Sequence, residues 1–213
     1  MLDHILVDLI SHTRQALESA LLQRQAVEER FQVDVFLGDV SWETSYSLPG
    51  EDKPPRVRAD LSVDWPTWSQ SAYRSWSIGE PPEDLPEVVV EIALRLQRLA
   101  EVPEIDVVLA CLPEESAPIG ADTLVRAASV VEQVYLGAGK APTVAVETTY
   151  QGTFRLDESA LDDPATLSAP MGELARWVAS VLVRLGDLDL RYLPPDPTAG
   201  DQGEHGDHPD RTG

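Results

Sequence analysis

The chain has 213 residues, 43% of them hydrophobic, and carries a formal charge of −21 from 37 Asp and Glu against 16 Lys and Arg. That length and apolar content suffice for a buried core. The charge repels phosphates and anionic lipid surfaces, so direct nucleic-acid binding and membrane docking are disfavoured and a basic partner is favoured. All the basic residues except Lys53 and Lys140 are Arg; with the Ala content, this reads as a GC-rich, bacterial coding sequence. The one cysteine, Cys111, excludes an intramolecular disulfide. The N-terminal segment has no basic leader, and its apolar run is broken by Asp3, Asp8 and His12, so a cytoplasmic address is expected.

Apolar residues at Leu2, Ile5, Leu6, Leu9, Ala16, Leu17, Ala20, Leu21, Val27 and Phe31 recur at three and four. The spacing predicts one amphipathic helix over 2–31, long enough to clamp a domain or to pair with a second copy. Val40, Trp42, Thr44, Tyr46 and Leu48 alternate with polar residues, as a strand with one wet face does. Val33, Val35 and Leu37 keep the opposite phase, and the slip at Gly38-Asp39 predicts a bulge or tight bend. The turn formers of LPGEDKPP predict an exposed loop. Val57, Ala59, Leu61, Val63 and Trp65 then alternate again, which predicts an antiparallel hairpin with the preceding strand.

Trp42 and Trp65 lie on the apolar phases of these two strands and are assigned to the core. Beyond Pro66 the sequence TWSQSAYRSW alternates less cleanly, and a third short strand from Trp68 to Trp76 is expected. Trp68, Tyr73, Arg74 and Trp76 lie among polar residues here, and Trp, Tyr and Arg dominate interface hot spots. They form the candidate partner-binding surface.

Downstream, the pattern predicts a helix over 83–101, a doubly covered strand at Glu104–Leu112, a helix over ADTLVRAASVVEQVYLG begun at Asp122 and stopped by Gly137, and a long bent strand or hairpin about Gln151-Gly152. A helix over 170–186 and a short strand LDLRYL complete the body. Residues 194–213 are rich in Pro, Gly and Asp with no apolar period, so a disordered acidic tail is expected. EVVVEIALRLQRLAEV from Glu87 can be laid on ELARWVASVLVRLGDL from Glu173 without gaps, which suggests a duplicated strands-then-helix unit. The expectation is a single α+β domain over 1–193: helix 2–31, a sheet-rich part 33–78, and helix-strand-helix-strand-helix over 83–193. Its mainly antiparallel sheet is covered by about four helices.

No catalytic constellation stands out. His4 and His12 lie eight residues apart on the first helix, and His205 and His208 lie in the tail, so no metal centre is expected. Cys111 falls in an apolar stretch with no base identified beside it. LGAGKAPT departs from a phosphate loop, with Val134 where the first glycine belongs and Ala141 in place of the hydroxyl residue. No cofactor is therefore expected. The functional expectation is a non-enzymatic protein-protein interaction module, a small subunit or adaptor of a cytoplasmic bacterial assembly, binding a protein partner or its own copy. Two alternatives remain: a hydrolase or metal-dependent enzyme using Glu43, Asp60, Asp64 or Glu147, and an acidic DNA mimic that binds a basic protein.

Overall fold

The computed structural model describes residues 4–22, 27–36, 38–48, 54–80, 82–134, 142–156, 166 and 168–194. In chain order these form α1 (His4–Leu22), β1 (Val27–Phe36), β2 (Asp39–Ser47), β3 (Val57–Trp65), α2 (Thr67–Ser77), β4 (Glu87–Leu99), α3 (Ile105–Ala110), β5 (Val125–Arg126), β6 (Val130–Val134), β7 (Thr143–Arg155) and α4 (Ser168–Gly186). The protein is α+β: the described residues form one antiparallel sheet in the order β1-β2-β3-β4-β7-β5, with β6 also on β7, and four helices. β5 and β6 pair with successive stretches of β7 and act as one interrupted edge strand.

Side-chain alternation explains which face is covered. Val57, Ala59, Leu61, Val63 and Trp65 of β3 are buried, as are Val88, Val90, Ile92, Leu94 and Leu96 of β4. The residues between them are only partly covered. On the covered face α4 contributes Met171, Leu174, Ala175, Val178, Val181, Leu182 and Leu185, spaced at three and four, and α1 packs against α4. Trp177 meets Tyr150 edge-on at 4.9 Å between ring centroids. Trp42 and Trp65 are fully buried, as expected from their strand phase; side chains of that size stabilise a core by roughly 1.5–3 kcal/mol or more each.

The hairpin of β2 with β3 is in the register that alternation implies, Trp42 opposite Val63 and Val40 opposite Trp65. The phase slip at Gly38 is the tight turn of the β1–β2 hairpin, where Gly38 adopts φ +94° and Phe36 pairs with Asp39. Gly152 does not turn the chain. β7 runs straight through it, and the glycine admits a close neighbour: a Cβ there would lie 2.9 Å from the Thr123 carbonyl oxygen.

Several sequence expectations are corrected. The helix expected over 2–31 ends at Leu22, and Val27–Phe36 is a strand. Residues 27–36 hold three valines and two phenylalanines, and pairing along the whole of β2 outweighs their helical spacing. Trp68–Trp76 is helical, not a third strand. The helix expected over 83–101 is β4, whose Val88, Val90, Ile92, Leu94 and Leu96 alternate with period two even though Leu, Glu and Arg favour helices. Glu104–Leu112 is the short helix α3 rather than a central strand. Asp122 sits in a tight turn with Ile119, and β5 and β6 replace the helix expected beyond it; Gly137 lies outside the described residues. The strand LDLRYL reduces to one bridge, Leu99 to Tyr192. A duplicated unit is not supported by the matched segments, since Glu87 begins a strand and Glu173 lies in a helix.

At the end of β4 the ladder skips between Leu96 and Leu99, and Arg98 takes φ 63°. This places the Arg98 carbonyl on the Leu193 N–H, while its guanidinium donates to the Pro54 carbonyl at 2.8 Å. No helix among the described residues is long and apolar enough to cross a membrane. The tail from 195 to 213, with His205 and His208, lies outside the described residues, as does most of LGAGKAPT.

Candidate functional site

The aromatic segment beyond Pro66 folds as α2, which is fastened to the sheet at several points. Pro66 has φ −66° and ψ 149° and cannot itself supply a capping side chain. Asp39, from the β1–β2 turn, does so instead. The Thr67 N–H and hydroxyl donate to its Oδ1 at 2.6 and 2.7 Å, and these bonds to the ionised form hold the Asp39 carboxyl below the usual Asp range.

Ser69 is the node beneath the helix. It accepts from Trp65 Nε1 at 2.9 Å and from the Glu87 N–H at 2.8 Å, and donates to the Glu87 carbonyl at 2.6 Å. The hydroxyl's one donor and two lone pairs are thereby all used. Gln70 donates to the carbonyls of Gly38 and Trp65, both at 2.9 Å. Tyr73 packs edge-on against Trp65 at 5.7 Å.

The four residues of the candidate surface therefore separate. Tyr73 is 4% exposed and belongs to the core. Trp68 is 47% exposed, and Trp76 is partly covered. Trp68, Ala72 and Trp76 recur at intervals of four along α2, so they line one flank of the helix. Arg74 is exposed but points away from that flank, because it lies six residues from Trp68. The flank is thus a shorter surface than the sequence implied: two indoles with an alanine between them.

The strand carboxylates lie on the uncovered face of the sheet. Asp60 accepts from the Ser45 hydroxyl at 2.5 Å and from Arg58 Nε at 2.6 Å, and Arg58 also donates to Ser45 Oγ at 3.1 Å. Glu43, Ser62, Glu91 and Ala93 join this trio around a cleft of about 190 Å³. Asp64 accepts from the Ser62 hydroxyl at 3.2 Å. Glu147 lies farther across the sheet, where it is bound to Arg95 through Nε at 2.8 Å and through Nη2. The structure brings Glu43 and Asp60 to one cleft and leaves Glu147 outside it. Among the described residues, no three or more His, Cys, Asp or Glu side chains are grouped so as to hold a metal ion.

A second cleft of about 360 Å³ runs between α1 and α4, lined by His12, Gln15, Ser19, Ser168 and Arg176 among others. Arg176 is bound to Glu173 at 2.6 Å. Cys111 is partly covered at the end of α3.

The signal that sequence reasoning missed is Asp39. An acid immediately after a turn glycine seemed part of the bend, and its capping role depends on a helix that begins 28 residues later. No protein-family model, curated protein or solved structure matches the chain.

Proposed function

We propose that this protein is a non-enzymatic protein-interaction module, a small subunit or adaptor of a cytoplasmic bacterial assembly, which docks a protein partner on the Trp68 flank of α2. The observation that carries this reading is a half-exposed tryptophan on a helix whose opposite face, through Gln70 and Tyr73, is fastened to the sheet. Trp68 stands one residue before Ser69, whose bonds tie α2 to β3 and β4. A large side chain on such a mount loses little conformational freedom when a partner covers it, which favours binding. The charge of −21 supports a protein rather than a nucleic acid as the partner.

The strand carboxylates support the enzymatic alternative less well. Asp60 and Glu147 each lie against an arginine, and a carboxylate so held is less available to take a proton or bind a cation.

The test is photo-crosslinking in the source cells, with a photoreactive residue at exposed Ser71, about one turn from Trp68. A discrete crosslinked protein that disappears in the Trp68→Ala background is the expected result. Truncating a hot-spot tryptophan costs about 2 kcal/mol or more, roughly a thirtyfold loss of affinity. Crosslinks unaffected by Trp68→Ala, or found only from positions on the open sheet face, would overturn the reading.

A further inference from the structure

α2 ends in a glycine cap that decides where the following chain goes. With Gly79 at φ +84°, its N–H donates to the Trp76 carbonyl at 3.0 Å and the Glu80 N–H donates to the Ser75 carbonyl at 2.9 Å. This pair of bonds is a Schellman closure, and it holds Glu80 against the C-terminal end of the helix. Seven residues later the chain is pinned again. There the Glu87 N–H and carbonyl both bond to Ser69 Oγ, in the first turn of α2. The segment between them therefore returns from the last turn of α2 to its first.

The side on which it returns follows from the helical pitch. Ser69 and Trp76 are seven residues apart, so they lie within about 20° of each other around the helix. The segment thus borders the flank of Trp68, Ala72 and Trp76, and not the opposite side, which carries Arg74. It brings the half-exposed Leu85 and the exposed acids Glu80, Glu83 and Asp84 to that border. From Ile78 to Glu87 the sequence has four acids and no base. The helix C-terminus adds its own partial negative charge at the same end.

Resting on the α2 reading above, we infer that the partner presents a basic, amphipathic segment to this flank. An apolar side chain sits over Ala72 between the two indoles, and Lys or Arg side chains face Glu80, Glu83 and Asp84. The apolar contact supplies affinity, while the acidic border fixes orientation, speeds encounter and turns away acidic competitors. A second copy of this chain is a poor occupant, because it carries the same charge of −21. An anionic lipid surface is repelled by the same acids.

The experiment extends the Ser71 photo-crosslink in the source cells to charge variants of the full-length protein. Glu83→Lys with Asp84→Lys reverses the border at two exposed positions outside any helix or strand. Glu101→Lys with Glu104→Lys makes the same change in net charge beyond the far end of β4, a strand of 13 residues and so about 40 Å long. The expected crosslink falls roughly tenfold in the first variant and is unchanged in the second. Glu83→Gln with Asp84→Asn should give an intermediate loss, which repulsion by introduced lysines alone would not produce. Mass spectrometry should place the crosslink in a partner peptide with an excess of Lys and Arg.

A crosslink that needs Trp68 but ignores the changes at Glu83 and Asp84 overturns this inference and leaves the α2 reading standing. So does one weakened equally by both reversals, or one mapped to an acidic segment or to a second copy of this chain. A crosslink that never depends on Trp68 overturns both.

Discussion

Asp39 and Tyr150 are the residues whose acid–base chemistry the fold perturbs most visibly, and they act at opposite ends of the pH scale. Asp39 is ionised when it receives the Thr67 N–H and hydroxyl. Its folded-state pKa is lowered, so its stabilisation is complete above the unfolded value and is lost as pH falls through the folded one. Asp39→Asn should lower the urea midpoint at pH 7, and the gap to the native protein should close as the pH falls below about 4. A gap that persists at pH 2 would mean that shape, not charge, makes the cap. Tyr150 behaves in the reverse sense. Its ring is buried and its hydroxyl donates to the Pro113 carbonyl at 2.6 Å. Burial, only partly offset by Arg126 and Arg184, raises its pKa. The resulting stabilisation is complete below the unfolded value of about 10 and is lost as pH rises through the folded one. Tyr150→Phe should cost about 1 kcal/mol at pH 7 through the orphaned carbonyl. The penalty should shrink above pH 10, as chemical denaturation across that range would show. Neither role is legible in sequence, because each depends on a partner far along the chain.

At the scale of the element, Ser69 decides whether α2 is a rigid mount. Ser69→Ala leaves Trp65 Nε1 and the Glu87 N–H without their acceptor, and an orphaned buried donor costs about 1–3 kcal/mol. A loss of about 2 kcal/mol or more is expected in urea unfolding, with an unchanged m-value. A loss below about 0.5 kcal/mol would show that Gln70 and Asp39 hold the helix without it. How much of each element could be read in advance follows from the same physics. β3 was legible because it has a dry and a partly wet face, so alternation reports burial directly; β2 alternates in sequence, though Ser45 and Ser47 on its polar phase are buried as well. α4 was legible because its dry stripe recurs at three and four. β4 alternates equally well, yet its wet-face positions include Val89 and Ala93, and its Leu, Glu and Arg content imitates a helix. β6 was missed because both its faces are exposed, so hydropathy carries no period there. For the candidate surface, the sequence singled out Trp68, Tyr73, Arg74 and Trp76 but not the division among them. Only the helical pitch separates Tyr73, under α2, from Trp68 on its flank.

For the whole molecule, the dominant quantity is the charge of −21 spread over 213 residues. Self-repulsion of that size opposes the compact state, while the ion pairs on the open face of the sheet that could offset it are partly exposed. Arg95 and Glu147 keep 36% and 27% of their side-chain area in solvent, Arg58 and Asp60 30% each, and such pairs contribute about 0–1 kcal/mol. Salt acts on both terms. Raising ionic strength from 0.01 to 0.15 M shortens the screening length from about 30 Å to about 8 Å. That removes most of the long-range repulsion and leaves the pairs at contact distance less affected. Stability should therefore rise with salt, by about 1 kcal/mol or 2–4 °C in melting temperature for a chain of this size. A melting temperature that falls over the same range would mean that the Arg58–Asp60 and Arg95–Glu147 pairs outweigh the repulsion, and that the open face of the sheet is held by its charges rather than strained by them.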